Sequence, residues 1–575
     1  MRWCLLCLSL LATLVTAQQQ QDQKARLQGQ VITAAGAPLS KTTVRLQAAS
    51  QMNQTNFANY AVSSDRDGKF LFDDVIPGTY VLVAERTGYL HMAYGSKPQG
   101  AGATQMKLDA GQEIKDIVIK LTPQAILFGK VVDEDGDPLP NFSVLASRWA
   151  FVNGKKQLQV TGNQLSLADG TFVMGGLPAG RYYVSAESGR GIWTDGVDLS
   201  GGKKSADSHL KTYFPSALDS NSAALVDVAP GAEIRGIEIH VRRGRVFEIR
   251  GKAESDLGGS VPMYLNNLTL ITKGAAGYGL WDQKEAEIGE QTGTFQFKSV
   301  APGTYVIRGQ SEVEVKDPTG QSSKSVKLAA NLEVTVLDKD LENVVVPLTP
   351  GMEIKGTVKT EGADPPTQPP GVRLPRSVVF HDALDLSGDL SEVLRGLAEV
   401  SEDGTFRMEG ASPSVVRVDV FGLAESSYVK SIRFGGREVK GAELDLTSGR
   451  GGEMEIVLSP NGAEVTGIVR DSDGKPVPGA VVQVCDVQTC DKDGVVTPTR
   501  AADQNGAFDI KGLAPGEYKV FVWEDDGDGV ITDPGFRKSF ASQAVVVKLS
   551  EKSQESIAPA LITKDAMEVE AAKIR

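Results

Sequence analysis

A chain of 575 residues is too long for one hydrophobic core, and ordinary domain sizes predict four or five domains. With 41% apolar and 23% charged residues it is not a disordered polymer, and 62 glycines and 27 prolines among Val/Ile/Leu-rich runs favour an all-β chain with many turns. The formal net charge of −13 disfavours nucleic acid and anionic membrane surfaces as partners, because both need clustered Lys and Arg.

The first predicted element is a secretory signal peptide over residues 1–17. Arg2 supplies the positive start, Trp3 to Val15 is apolar apart from Ser9 and Thr13, and Val15-Thr16-Ala17 offers small residues for cleavage between Ala17 and Gln18. A buried hydrophobic helix is the competing reading, and the polar run Gln18 to Gln21 argues against it. Cys4 and Cys7 lie within the apolar run and are expected to leave with it. Residues 18–24 read as a linker. No later stretch approaches the roughly eighteen uninterrupted apolar residues of a membrane helix. The expected product is secreted or periplasmic and does not span a membrane.

One phrase then organises the chain. It runs DGKFLFDDVIPGTYVL from Asp67, DGTFVMGGLPAGRYYV from Asp169, TGTFQFKSVAPGTYVI from Thr292, DGTFRMEGASPSVVRV from Asp403 and NGAFDIKGLAPGEYKV from Asn505. Phe is held in all five (Phe70, Phe172, Phe295, Phe406, Phe508), and Tyr in four (Tyr80, Tyr182, Tyr305, Tyr518), with Val416 in its place in the fourth. Asp-Gly or Asn-Gly marks a tight turn, because Gly accepts positive φ at little cost. The Phe-x-apolar step that follows has the two-residue period of a strand. Pro-Gly predicts a second turn with Gly in the left-handed position. The tyrosine is expected to anchor a strand corner, its hydroxyl reaching backbone.

A second phrase opens several units: GQVITAAGAPL from Gly29, GKVVDEDGDPLPN from Gly129 and GIVRDSDGKPVPG from Gly467. It predicts a strand, a turn, and a new strand beginning after proline. Units three and four open more weakly, at Gly251 and Gly356. Each unit closes on an alternating strand, such as EIKDIVIKLTP ending at Pro123. The five Phe landmarks are 102, 123, 111 and 102 residues apart, the size of one small sandwich each. The predicted units are therefore 25–123, 124–244, 245–350, 351–461 and 462–565, followed by a tail over 566–575. The tail from Ala566 to Ile574 reads as helical, and Asp389 to Leu397 as a short helix or a loop.

The G-x-V…G-x-P opening with the D-G-x-F…P-G-x-Y core resembles the carboxypeptidase regulatory-like domain. The resemblance is full in units one, two and five, partial in three, and loose in four, which has Pro413-Ser414 for Pro-Gly. It implies a transthyretin-like (prealbumin-type) Greek-key β-sandwich of antiparallel strands, in a tandem array of about five, and no agreed activity. Multi-unit chains of this kind are similar to secreted proteins of bacteria, soil acidobacteria in particular. The fold is also grouped with carbohydrate-binding-like sandwiches, a grouping that transfers no site residues.

Sites for chemistry are scarce. A zinc carboxypeptidase centre needs closely spaced His and Glu, whereas His91, His209, His240 and His381 stand apart and no H-E-x-x-H occurs. S-x-x-K appears at Ser208 to Lys211 and Ser427 to Lys430 without the companion motifs of a Ser–Lys enzyme. Cys485 and Cys490, at C-x4-C, read as a local disulfide in an oxidising compartment. Free thiols or half a metal site are the rivals. Glu524, Asp526, Asp528 and Asp533 resemble the start of a calcium loop, although Gly535 stands where the bidentate glutamate belongs; a solvated acidic turn is the default. Trp149 and Trp193 could present faces to sugar rings, against a more ordinary packing role.

The expected function is a non-catalytic, exported scaffold that displays sheet faces and loops to a protein or polysaccharide of the cell envelope. It would be a monomeric, elongated rod without cofactors. A carbohydrate-binding protein using exposed aromatics is the alternative.

Overall fold

In the computed structural model of the chain, the described residues are 23–48, 59–96, 103–152, 154–188, 207–255, 264–273, 283–289, 293–316, 323–362, 376–382, 394–411, 413–492 and 497–574. The signal segment, with Cys4, Cys7, Ala17 and Gln18, lies outside them, as do Trp193 and Trp281. The regular secondary structure of the described chain is almost entirely strand. Successive stretches enclose separate apolar cores: segment one over Ala25–Leu121, two over Ala125–Val241, three over Phe247–Leu348, four over Met352–Leu458 and five over Ala463–Leu549. None of the described helices is long and apolar enough to cross a membrane.

Segment one shows the plan. Its strands are β1 (Ala25–Thr33), β2 (Thr43–Ala48), β3 (Tyr60–Ser63), β4 (Lys69–Val75), β5 (Gly78–Glu85), β6 (Met92–Ala93), β7 (Gln105–Leu108) and β8 (Glu113–Leu121). They form two sheets, β4-β1-β8 and β3-β2-β5-β6, with β7 also paired to β5. Alternate residues of each sheet, among them Leu27, Phe70, Phe72, Tyr80 and Leu82, meet between the layers. The opening strand β1 is antiparallel to β4 and parallel to the closing strand β8. Every later segment repeats this one parallel pair, for example Ala125–Val132 with Glu233–His240 and Ala463–Ile468 with Gln554–Ile557.

The conserved spacing of the repeats now has a physical cause. In each segment the phrase Phe lies directly across from the opening Gly: Gly29 from Phe70, Gly129 from Phe172, Gly251 from Phe295, Gly356 from Phe406 and Gly467 from Phe508. The ring covers the space a side chain would need. A Cβ on Gly29 would stand 2.7 Å from the Phe70 ring, and on Gly467 2.6 Å from Phe508. The Phe fills the core that the Gly leaves open, so the two residues are selected as a pair.

The turn chemistry is partly as expected. The Asp-Gly turns do place Gly at positive φ, with Gly68 at 73° and Gly506 at 72°. The Pro-Gly turns do not: among the described residues Gly78, Gly303 and Gly516 are not left-handed. Their role is spatial, since a Cβ there would sit 3.3 Å from the ring of Tyr80, Tyr305 or Tyr518. The left-handed residue instead comes four after each Phe: Asp74, Gly176, Ser299, Gly410 and Gly512. A β-bulge against the opening strand accompanies it in all five segments, and bends the strand into the corner. The tyrosine locks that corner. Its hydroxyl donates to the carbonyl four residues back, at Ile76, Pro178, Ala301 and Ala514, over 2.7 to 2.8 Å. Burial pushes Tyr80, Tyr182 and Tyr518 up to about 12.

Three segments depart from the plan. In segment three the long strands Gly303–Lys316 and Ser323–Val336 join both layers into one eight-stranded sheet. In segment four Val416 fills the Tyr position within the core, and Leu394–Glu399 is a strand, where a helix or loop was expected up to Leu397; Asp389 lies outside the described residues. Segment five has a second core on the far side of its sheet. Helix α1 (Pro534–Ser539) and helix α2 (Lys564–Ile574) cover Phe521 and Trp523 there, so both faces of the Gly516–Trp523 strand are buried. The helical tail agrees with the sequence reading.

The array is not an open rod, and this corrects the expected shape. Consecutive segments abut through backbone, as in Gly351 N–H to Lys327 O (2.9 Å) and Gly462 N–H to Ser426 O (2.8 Å). Segment five also reaches back to the start of the chain. Thr104 Oγ1 donates to Ala502 O and Gln504 Nε2 to Lys107 O, each over 3.4 Å. Segment two meets segment five as well, so the chain from two through five forms a closed circuit. Short linkers alone predict a rod; the contacts that close it come from residues nearly four hundred positions apart.

Candidate functional site

The closure between segments two and five builds a concavity lined by three segments. In segment two, β9 (Ala125–Val132) is followed by an unusually long hairpin, β10 (Phe142–Val152) and β11 (Lys155–Leu165). Strands β12 (Thr171–Leu177) and β13 (Gly180–Ser188) follow, and β13 pairs with β10 only from Phe142 to Ser147. Beyond Ser147 the hairpin projects past its own sheet. Its unpaired edge is met by the acidic loop of segment five: Phe151 N–H donates to Asp528 O at 2.9 Å, and Gly154 N–H to Thr532 Oγ1 at 2.9 Å.

Side chains strengthen the joint. Arg148 pairs with Asp528 at 3.1 Å, both side chains being less than a fifth exposed. Phe151 packs on the second core of segment five. Gly527, Asp528 and Gly529 all have positive φ (56°, 62° and 77°), and a Cβ on Gly529 would run into the Phe151 carbonyl. This glycine permits the approach of the two backbones.

The loop is held from behind. Arg537, fully buried, donates to Ile531 O (3.0 Å), Thr532 O (2.6 Å) and Cys490 O (2.6 Å). Burial holds the Arg537 guanidinium below its ordinary range; the three carbonyls accept from its two Nη atoms, while Nε is buried without a hydrogen-bond partner. Cys490 is disulfide-bonded to Cys485, with Cα atoms 5.2 Å apart, and both are buried. Trp523 Nε1 donates to Gln483 Oε1 at 3.0 Å, and Gln483 Nε2 in turn donates to Ile531 O at 3.1 Å. The disulfide, the guanidinium and the indole thus brace one loop, the loop that docks on segment two.

Between the hairpin and this loop opens a cleft of about 840 Å³. Arg148, Trp149, Lys156, Arg181 and Tyr183 line it from segment two. Asp525, Asp526 and Asp528 line it from the loop, and Lys564, Met567 and Glu568 from α2. Ala34 and Thr122 add the edge of segment one. Trp149 is 38% exposed, its ring edge-on to Tyr183 at 6.4 Å and under the Lys156 ammonium at 5.3 Å. Three shallower grooves recur at the Gly–Phe pairs of segments one, three and four, and their repetition marks them as properties of the fold.

The residues singled out by sequence fall as follows. Trp149 stands in the cleft wall, and Trp193 lies outside the described residues. The four carboxylates resembling a calcium loop are drawn apart: Glu524 accepts from Lys564 N–H (2.8 Å), Asp526 faces the cleft, Asp528 pairs with Arg148, and Asp533 caps α1 by accepting from Phe536 N–H (2.6 Å). Among the described residues no group of three or more His, Cys, Asp or Glu could hold a metal ion. The lysines of the two S-x-x-K matches are turned to Glu187 and Glu361. Arg148, Lys156, Tyr183 and Lys564 carry no motif, and only folding brings them together.

No curated protein matches the chain. Among solved structures, the Bacillus anthracis TIE protein is similar at 13% identity over 57% of this chain, with a TM-score of 0.15. The chain spans 51% of that protein's length. The minor pilin of Streptococcus agalactiae is similar at 12% identity, over 38% of this chain and 96% of its own, with a TM-score of 0.19. BcpA, the major pilin subunit of Bacillus cereus, is similar at 9% identity, over 57% and 100%, with a TM-score of 0.16. At such TM-scores none of these likenesses extends to a function. In two stretches, residues 26–122 and 464–554, the chain carries the carboxypeptidase regulatory-like domain.

Proposed function

We propose that the protein is an exported, non-catalytic scaffold in which five sandwich domains close into a frame, with boundaries near residues 124, 245, 351 and 462. The observation that carries this reading is the joint between the β10–β11 hairpin and the Asp525–Thr532 loop, made by paired backbone, a partly buried ion pair and apolar packing. A frame of this kind holds its exposed loops and sheet edges at set distances, which suits presentation to a protein or polysaccharide partner. Export is supported by the apolar segment Trp3 to Val15 and by the buried disulfide, a bond that persists in oxidising compartments. The secreted or periplasmic space is the corresponding location.

Sedimentation velocity and small-angle scattering on the mature chain test the frame. A compact profile with a small frictional ratio is expected; an extended profile matching a five-domain rod would sink it. Turnover of ester, peptide or glycoside substrates by the purified protein would overturn the non-catalytic reading.

A further inference from the structure

We propose that the cleft between segments two and five is a binding site for a short, neutral oligosaccharide. The inference rests on the closed frame, since the cleft has walls from both segments only when they meet. Its volume, about 840 Å³, lies within the range of roughly 300–1,000 Å³ that small-ligand clefts occupy.

The chemistry of the walls selects the ligand class. Four cationic side chains (Arg148, Lys156, Arg181, Lys564) face four anionic ones (Asp525, Asp526, Asp528, Glu568), so the lining carries no net charge. A polyanion such as nucleic acid or a uronic acid chain meets as many carboxylates as cations and gains little. A wholly apolar ligand strips water from charged groups and offers them no hydrogen bonds in return. A neutral polyol avoids both costs, because each hydroxyl both donates to carboxylates and accepts from guanidinium or ammonium groups.

The aromatic wall supplies the second requirement. Trp149 keeps more than a third of its surface exposed in a chain that buries Trp523 completely, and Tyr183 fixes its edge. A pyranose ring presents an apolar C–H face of matching size, with hydroxyls around its rim. Stacked on the indole, it would direct those hydroxyls at the Asp525–Asp528 loop across the cleft and at Lys156 beside the ring. Lys156 is an exposed, flexible side chain and can move from ring to hydroxyl.

The test is titration of the mature full-length protein with linear gluco-, xylo-, manno- and chito-oligosaccharides, followed by heat and by Trp fluorescence. One of these classes is expected to bind and to perturb the fluorescence. Trp149→Ala should weaken binding about tenfold, and Trp149→Phe should retain most of it. Neither change should alter sedimentation, because the ring lies outside the joint. The proposal is overturned if no class binds at millimolar concentration, if Trp149→Ala binds as tightly as the parent, or if a nucleoside binds where the sugars do not. Sedimentation of the same samples separates the two readings. A compact protein that binds no sugar ends the proposal for the cleft alone, and an extended one ends the frame and the cleft together.

Discussion

Segments one and five match the same domain family, and they share the Gly–Phe pair, the bulge and the tyrosine corner. They differ after the strand that carries the tyrosine. In segment one the chain turns within Arg86 to Tyr89 and goes on to β6, β7 and β8, leaving a sandwich with one core. In segment five about twenty residues beyond Trp523 fold over the back of the sheet, make a second core with α2, and carry the loop that docks on segment two. The family pattern therefore accounts for the first core, which both segments share. What distinguishes segment five is how the connection after Trp523 folds, within the matched stretch, together with α2, which lies beyond it.

The strongest way to break the comparison is Trp523→Ala. It removes a fully buried indole that stacks on Phe521 at 5.3 Å and has no counterpart in segment one. A loss of about 3–5 kcal/mol is expected in segment five. Hydrogen exchange should show α1, α2 and the docking loop opening while segment one stays protected; equal loss of protection in both would show that the second core is not a separate unit.

Asp528→Ala comes next. Arg148 would keep a largely buried charge without its partner, at a cost of about 2 kcal/mol to the joint. The expected readout is a larger frictional ratio at unchanged secondary structure. Replacing Cys485 and Cys490 together by Ser should cost about 2 kcal/mol, and less than the indole, because the loop it closes is short. That loss should be confined to segment five in a urea titration followed by exchange.

The smallest effect tests what the segments have in common. Tyr80→Phe and Tyr518→Phe should each cost about 1 kcal/mol, since each leaves one carbonyl without its donor. Both tyrosines are raised from 10 to about 12 in the folded chain. Their contribution is therefore complete below pH 10, where folded and unfolded chains are both protonated. It is lost as pH rises from 10 toward 12, because the unfolded chain ionises first. Alkaline unfolding midpoints should shift alike in the two Phe variants, and a shift in one alone would show that the corners are not equivalent.

Much of the fold was legible because it is local and repeated. The Asp-Gly turns, the two-residue alternation and the Phe and Tyr spacing each report interactions within one segment, and repetition five times makes the pattern unmistakable. The Pro-Gly reading erred because proline and glycine suggest a left-handed turn. Gly78, Gly303 and Gly516 instead leave space beside the ring of the tyrosine two residues on in the same strand, a packing requirement that turn propensity does not report. Of the cleft, Trp149, Asp526 and Asp528 were named in advance, the two carboxylates for a calcium loop that the structure does not form. Arg148 and Asp528 are separated by 380 positions, and nothing in either neighbourhood announces the other.

Sequence by itself determined the all-β class, the repeated sandwich and the corner chemistry, because strand period, turn residues and core size are set by neighbours along the chain. Only the tertiary structure decided that the array closes on itself, that segment five is covered on both faces, and that a balanced, aromatic-walled cleft lies at the joint. Those features depend on contacts between remote surfaces. Their chemistry is ordinary residue by residue and acquires meaning only when the chain brings the surfaces together.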